Sequence, residues 1–146
     1  MFDNSKIIKF EIVTPEKVIL KDEIFKVTVP TKEGEITVLP QHMPIISILI
    51  PGIIELTNKD GEKKVMSVSG GFIEVLRNKV IILADTAERA EEIDIKRAEE
   101  AKKRAEESIK NERQFDKERY TNISTVIAKE LARTRAVKRW KNIRSK

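Results

Sequence analysis

The chain has no cysteine, which excludes disulfides, thiolate nucleophiles and thiolate-bound metals. It has one histidine, His42, too few for a His-rich metal site or for the usual nucleophile–histidine pairing. Its longest apolar runs, such as Ile45 to Ile50, are far short of a membrane span. The opening residues lack the charged and apolar regions of an export signal, so a cytoplasmic location is expected. Little is left here for chemistry of the chain's own, and no catalytic residue and no metal ligand is assigned. The 146 residues suit one ordinary domain or two small ones, with a net charge of +5.

Two compositions share the chain. Residues 1–86 hold most of the larger apolar side chains and a near balance of charge, with 11 basic and 12 acidic groups. Residues 87–146 carry 18 basic and 12 acidic groups, and eight of their 20 apolar residues are alanine. The prolines and glycines all lie in the first part. This division predicts a first domain over 1–86 and a second over 87–146 that fold by different rules.

The first part reads as strands. Ile7–Val13 ends at Thr14-Pro15, and Phe25–Val29 alternates and stops at Pro30. Ile36–Val38 follows Gly34, Ile53–Thr57 follows Pro51-Gly52, and Asn58–Gly61 turns the chain into Lys64–Val68. Phe72–Leu76 and Val80–Leu83 form a further hairpin through Arg77–Lys79, and Gly70-Gly71 reads as a bulge or tight turn. About ten short strands with period-two alternation predict an antiparallel β-sandwich or flattened barrel.

The second part reads as an antiparallel α-helical hairpin. Asp85–Glu88 has capping-box spacing, and Asp94 is an equally good N-cap for a later start. Ala98, Ala101, Ala105 and Ile109 make one thin stripe; Ile123, Val126, Ile127 and Leu131 make a second, continued by Val137 and Trp140. The polar segment 111–122 places the reversal near residue 117. Alanine stripes bury little area, so the hairpin needs docking or a ligand to stay folded back. With no breaker residue, 94–146 as continuous helix reaches about 80 Å at about 1.5 Å per residue. A compact form beside a feasible extended one is what a switch needs.

Three constellations carry functional readings. Arg135 and Arg139 stand at i, i+4, and a turn near 117 sets Arg97 opposite them with Asp94 one turn back. This is either a triphosphate cradle or a set of solvated arginines. Residues 129–146, at net +7, suit an acidic protein surface, anionic lipid or nucleic acid, or serve only solubility. Trp140 is the segment's one aromatic, which disfavours stacking on single-stranded nucleic acid. His42 lies in a constrained turn between Pro40 and Pro44, where a structural role outweighs catalysis.

On Gly34–Ile45 (Gly-Glu-Ile-Thr-Val-Leu-Pro-Gln-His-Met-Pro-Ile), Ser69–Val75 (Ser-Gly-Gly-Phe-Ile-Glu-Val) and Ala84–Glu88 (Ala-Asp-Thr-Ala-Glu), the chain resembles the epsilon subunits of bacterial F-type ATP synthases over essentially its whole length. Ile93-Asp94-Ile95-Lys96-Arg97-Ala98 is similar to that family's nucleotide-binding signature. The resemblance implies a non-catalytic central-stalk subunit that couples rotation and restrains ATP hydrolysis when its helices extend. Its implied partners are the gamma subunit, the membrane c-ring and the alpha and beta subunits of the catalytic head. It implies no required cofactor, with ATP as an allosteric ligand of the compact hairpin held by Glu88, Asp94, Arg97, Ala98, Arg135 and Arg139. Partner contacts are implied for Leu39, Pro40, His42 and Pro44, and for Arg133, Lys138 and Lys141. The implied location is peripheral, on the cytoplasmic face of the cell membrane. The rival from another class is a polyanion- or nucleic-acid-binding adaptor using the basic tail.

Overall fold

The computed structural model describes residues 6–111 and 117–145. Nine strands come first: β1 (Ile8–Val13), β2 (Val18–Thr31), β3 (Gly34–Val38), β4 (Ile45–Leu49), β5 (Gly52–Asn58), β6 (Lys63–Val68), β7 (Gly71–Val75), β8 (Lys79–Ala84) and β9 (Ala87–Arg89). A short 3-10 turn, Ala90–Glu92, leads to α1 (Ile95–Lys110) and α2 (Lys117–Arg144). A β-sandwich followed by two helices is therefore the architecture, as the alternation and the alanine stripes predict.

Strand β2 organises the sheet. The order runs β1-β8-β7-β4-β2-β5-β6-β9, with β3 beside β2, and β1 also pairs with β2, closing the sheet on itself. The N-terminal half of β2 faces β1 (Ile8 opposite Ile24), while its C-terminal half faces β3 (Val27 opposite Val38). It turns from one layer into the other where its register with β5 shifts between Ile24 and Lys26. Inward residues of both layers, among them Phe10, Ile12, Ile24, Val27, Ile54, Ile73 and Ile82, form one buried core.

Three boundaries depart from the sequence reading. Strand β2 passes through Pro30 rather than stopping there. The Pro30 carbonyl accepts from the Ile50 N–H at 3.1 Å, and a proline costs a strand little where its own donor is not needed. Ile45–Leu49, read only as an apolar run, is strand β4. Strand β9 pairs with β6 (Ser67 opposite Glu88), so the division expected at 86/87 falls inside the sheet and Asp85 starts no helix. Asp94 takes the cap instead, its Oδ1 accepting from the Arg97 N–H at 3.1 Å.

Helices α1 and α2 pack on each other, and α2 also packs across β5 and β6. The reversal expected near residue 117 involves 112–116, which lie outside the described residues. The buried residues of α2 are Glu130, Ala132, Thr134, Ala136 and Val137, whereas Val126 of the expected stripe is exposed.

The turn into β7 tests the sheet's tolerance. Gly71 has φ +136°, and a Cβ there would fall 2.1 Å from the Leu83 carbonyl oxygen. Gly61, in the β5–β6 turn, has φ +82° and open space around it. Gly71→Ala should therefore cost about 3 kcal/mol, against about 1 kcal/mol for Gly61→Ala, measured as unfolding free energies in urea. Equal costs would show that the backbone contact at Gly71 is not a constraint.

Candidate functional site

The region where α2 meets the sheet engages three of the predicted functional residues, Glu88, Arg133 and Arg139. Its apolar part is small: Ala136 and Val137 of α2 against Val65, Ala90 and Ile93, with Ile53, Ile95, Trp140 and Ile143 at the margin. The Arg144 guanidinium lies 4.9 Å from the centre of the Trp140 ring, a cation–π contact at the end of the helix. Short side chains let α2 approach the strands closely, and they contribute correspondingly little transfer energy.

Charge does the remaining fastening, at two points. Arg133 donates Nε to Glu88 Oε2 at 2.7 Å and Nη2 to Glu88 Oε1 at 3.3 Å, tying α2 to β9. Its Nη1 donates to Glu130 Oε2 at 2.9 Å, one turn back on the same helix. The Glu130 side chain is only 9% exposed, so this guanidinium supplies the hydrogen bond and counter-charge that its burial takes away from water. Burial works against the charge on Arg133, but Glu130 and Glu88 override it and hold the group above its ordinary pKa. At the second point, Arg139 donates Nε to Glu55 Oε2 at 2.9 Å and Nη2 to Glu55 Oε1 at 3.1 Å, on β5. The hydrogen bond and field of Glu55, with Glu35 adding more weakly, raise the Arg139 pKa as well.

The nucleotide set expected from the sequence is partly gathered. Ile95, at the start of α1, packs on the cluster containing Ala136 and Val137, which brings the first turn of α1 beside the Arg135–Arg139 segment. Asp94 is engaged as the cap of α1, Arg97 and Arg135 are exposed, and Arg139 is turned to β5 rather than toward Arg97. Glu88 is held by Arg133. Ala98 is fully buried, so its methyl group serves close packing and does not meet a ligand in this arrangement. Glu88 also borders a groove of about 670 Å³ that Lys17, Arg89, Glu92 and Lys129 line, and none of the other predicted nucleotide residues reaches it.

The expected partner contacts divide likewise. Leu39 and Pro44 are exposed, while Pro40 and His42 are half-buried in a turn closed by the His42 N–H donating to the Leu39 carbonyl. His42 Nδ1 lies 2.7 Å from the Met43 carbonyl, a contact within the turn itself. Lys138 and Lys141 face solvent. Arg133 does not, because Glu88 and Glu130 occupy it.

The sequence reading missed one surface. Ile48, Phe72 and Leu83 stand in register on β4, β7 and β8 and are all exposed, Phe72 by 54%. They form an apolar row on the outer face of the sheet, of the kind that marks a contact with another protein. The signal was present: Ile45–Ile50 is apolar at nearly every position, so one face of that strand had to point away from the core.

A family model described as the β-sandwich domain of the ATP synthase delta/epsilon chain matches residues 7–90. The ATP synthase epsilon chain of Chloroflexus aggregans is 52% identical over 98 residues, covering 67% of this chain and 70% of the relative. That of Herpetosiphon aurantiacus is 47% identical over 104 residues, covering 71% and 76%. A chain in the cryo-EM structure of the Euglena gracilis mitochondrial ATP synthase (OSCP/F1/c-ring) superposes with a TM-score of 0.76 at 26% identity, over 87% of this chain and 79% of that one. One in the central stalk/c-ring structure from Tetrahymena thermophila gives 0.57 at 18%, over 89% and 96%, and supports the fold.

The Arg133 clamp makes a local prediction. Arg133→Ala leaves Glu130 buried without its cation and frees α2 from β9. The cost should be about 2 kcal/mol, less than for a fully buried pair because Glu88 is 37% exposed. Amide exchange over Ala132–Val137 should quicken about thirtyfold while that of Ile73 and Ile82 is unchanged. An equal change in both regions would mean that α2 and the sheet open as one unit.

Proposed function

Because the chain belongs to the family of ATP synthase delta/epsilon chains, we propose that it is the epsilon subunit in the central stalk of a bacterial ATP synthase, a non-catalytic part of the rotor whose helices regulate ATP hydrolysis. The observation that carries the regulatory reading is how α2 is fastened: two arginine–carboxylate contacts around a small apolar patch. Such an interface holds the helices down without committing them, since ion pairs re-form with other carboxylates where an apolar core would not. In the upright state the basic face of α2 meets acidic segments of the catalytic alpha and beta subunits, and hydrolysis stops.

The remaining partners follow the surfaces. The apolar row Ile48, Phe72 and Leu83 offers the gamma subunit a face that the chain itself leaves uncovered. The turn with exposed Leu39 and Met43 suits the membrane c-ring, which would place the subunit peripherally at the cytoplasmic face of the membrane. Among the described residues no helix is long and apolar enough to cross a membrane. The basic tail needs no nucleic acid on this reading. ATP is an allosteric ligand of the compact form, taken by Asp94, Arg97, Arg135 and Arg139 with Glu88. It shifts the equilibrium only by its preference for that form.

Two experiments test this. A chain ending at Glu92 keeps strand β9 and should still join the stalk while inhibiting ATP hydrolysis much less than the full chain; equal inhibition would sink the switch. Calorimetric titration of the full chain with magnesium-ATP should give binding that Arg135→Ala or Arg139→Ala weakens at least tenfold, as expected for loss of a charge-assisted phosphate contact. No heat from any of the three would remove ATP from the account.

A further inference from the structure

Arg139 presents its Nε–Nη2 edge to Glu55 with two near-parallel hydrogen bonds, 2.9 and 3.1 Å long. This is the forked geometry in which a guanidinium takes two oxygens of a phosphate. Arg139 is 46% exposed, so a dissolved anion can reach it. A triphosphate approaching the other edge of the guanidinium would stand beside the Glu55 carboxylate, with the charge of Glu35 close by. Either approach sets phosphate against Glu55.

We propose that Glu55 is a built-in stand-in for phosphate: a nucleoside triphosphate binds at the α2–sheet face by exchanging with the Glu55 carboxylate at Arg139, so that Glu55 sets nucleotide affinity and secures the compact form when nucleotide is scarce. This rests on the nucleotide reading above and adds a residue from the sheet, 84 positions away in sequence from the arginine it competes for. The exchange does not free α2, because the Arg133 clamp uses different carboxylates, Glu88 and Glu130. Glu55 therefore has opposite effects on two quantities. It weakens nucleotide binding, and it slows opening of the helix without nucleotide.

Glu55→Gln keeps the side chain's shape and removes its charge. Magnesium-ATP titrations of the full-length wild type, Glu55→Gln, Arg139→Ala and the double variant would be paired with nucleotide-free amide exchange over Ala132–Val137. Glu55→Gln should bind ATP roughly three- to tenfold more tightly, and its α2 amides should exchange roughly two- to fivefold faster. Arg139→Ala should abolish the gain, so that the double variant binds like Arg139→Ala alone. If the wild type binds ATP and Glu55→Gln binds it no more tightly, the exchange is refuted while the nucleotide reading stands. If neither the wild type nor Glu55→Gln binds ATP, both fall together. Unchanged Ile73 and Ile82 exchange shows that the variant's sheet is intact.

Discussion

The hold that α2 has on the sheet rests on Arg133. One guanidinium satisfies a carboxylate on β9 and a nearly buried carboxylate on its own helix, so lifting the helix breaks both hydrogen bonds to Glu88 while the pair with Glu130 leaves with it. The apolar contact beside it has a small buried centre of two alanines, two valines and Ile93, with Ile53, Ile95, Trp140 and Ile143 only partly buried around it. An interface of this kind is geometrically specific, because a bidentate arginine accepts few orientations, yet it is modest in energy. Specific placement with modest energy lets a long helix have one defined resting position and still leave it.

The sheet supplies the rigid partner to that helix. Strand β2 belongs to both layers, and its pairing with β1 closes the sheet, which leaves little of it free to adjust. Gly71 reinforces this, since β8 passes so close that no side chain fits. The carboxylates that receive the arginines, Glu55 on β5 and Glu88 on β9, thus stand on the backbone of that sheet. On the proposed regulation, the motion would fall to the helices.

Strand positions were readable because alternation in Phe25–Val29, Ile53–Thr57 and Phe72–Leu76 records a half-buried surface directly. Strands β4 and β9 were harder: Ile45–Leu49 is apolar on both faces, and Ala87–Arg89 is too short to show a period. The helices were legible from the alanine stripes and from Asp94. Which face of α2 would be buried was not, since its C-terminal half touches α1 and the sheet, and Glu130 and Thr134 are buried beside Ala136. The ion pairs lay beyond reach altogether. Arg139 has many carboxylates within the chain, and only the folded sheet selects Glu55.

A size argument links these features to the proposed regulation. Driving a two-state equilibrium from 1:99 to 99:1 takes a preference of about 5.5 kcal/mol, whereas a ligand present at a hundred times its dissociation constant contributes about 2.7 kcal/mol. A nucleotide can therefore govern the position of α2 only if the docked and released forms already lie within a few kcal/mol of each other. Replacing Ala132 and Ala136 by leucines that fitted would add roughly 2 kcal/mol or more each and push the docked form out of any ligand's range. On the proposed regulation, alanine on α2 and carboxylates on the sheet are what would keep the two forms close, so the weak apolar anchoring and the reliance on arginine would be two expressions of one requirement.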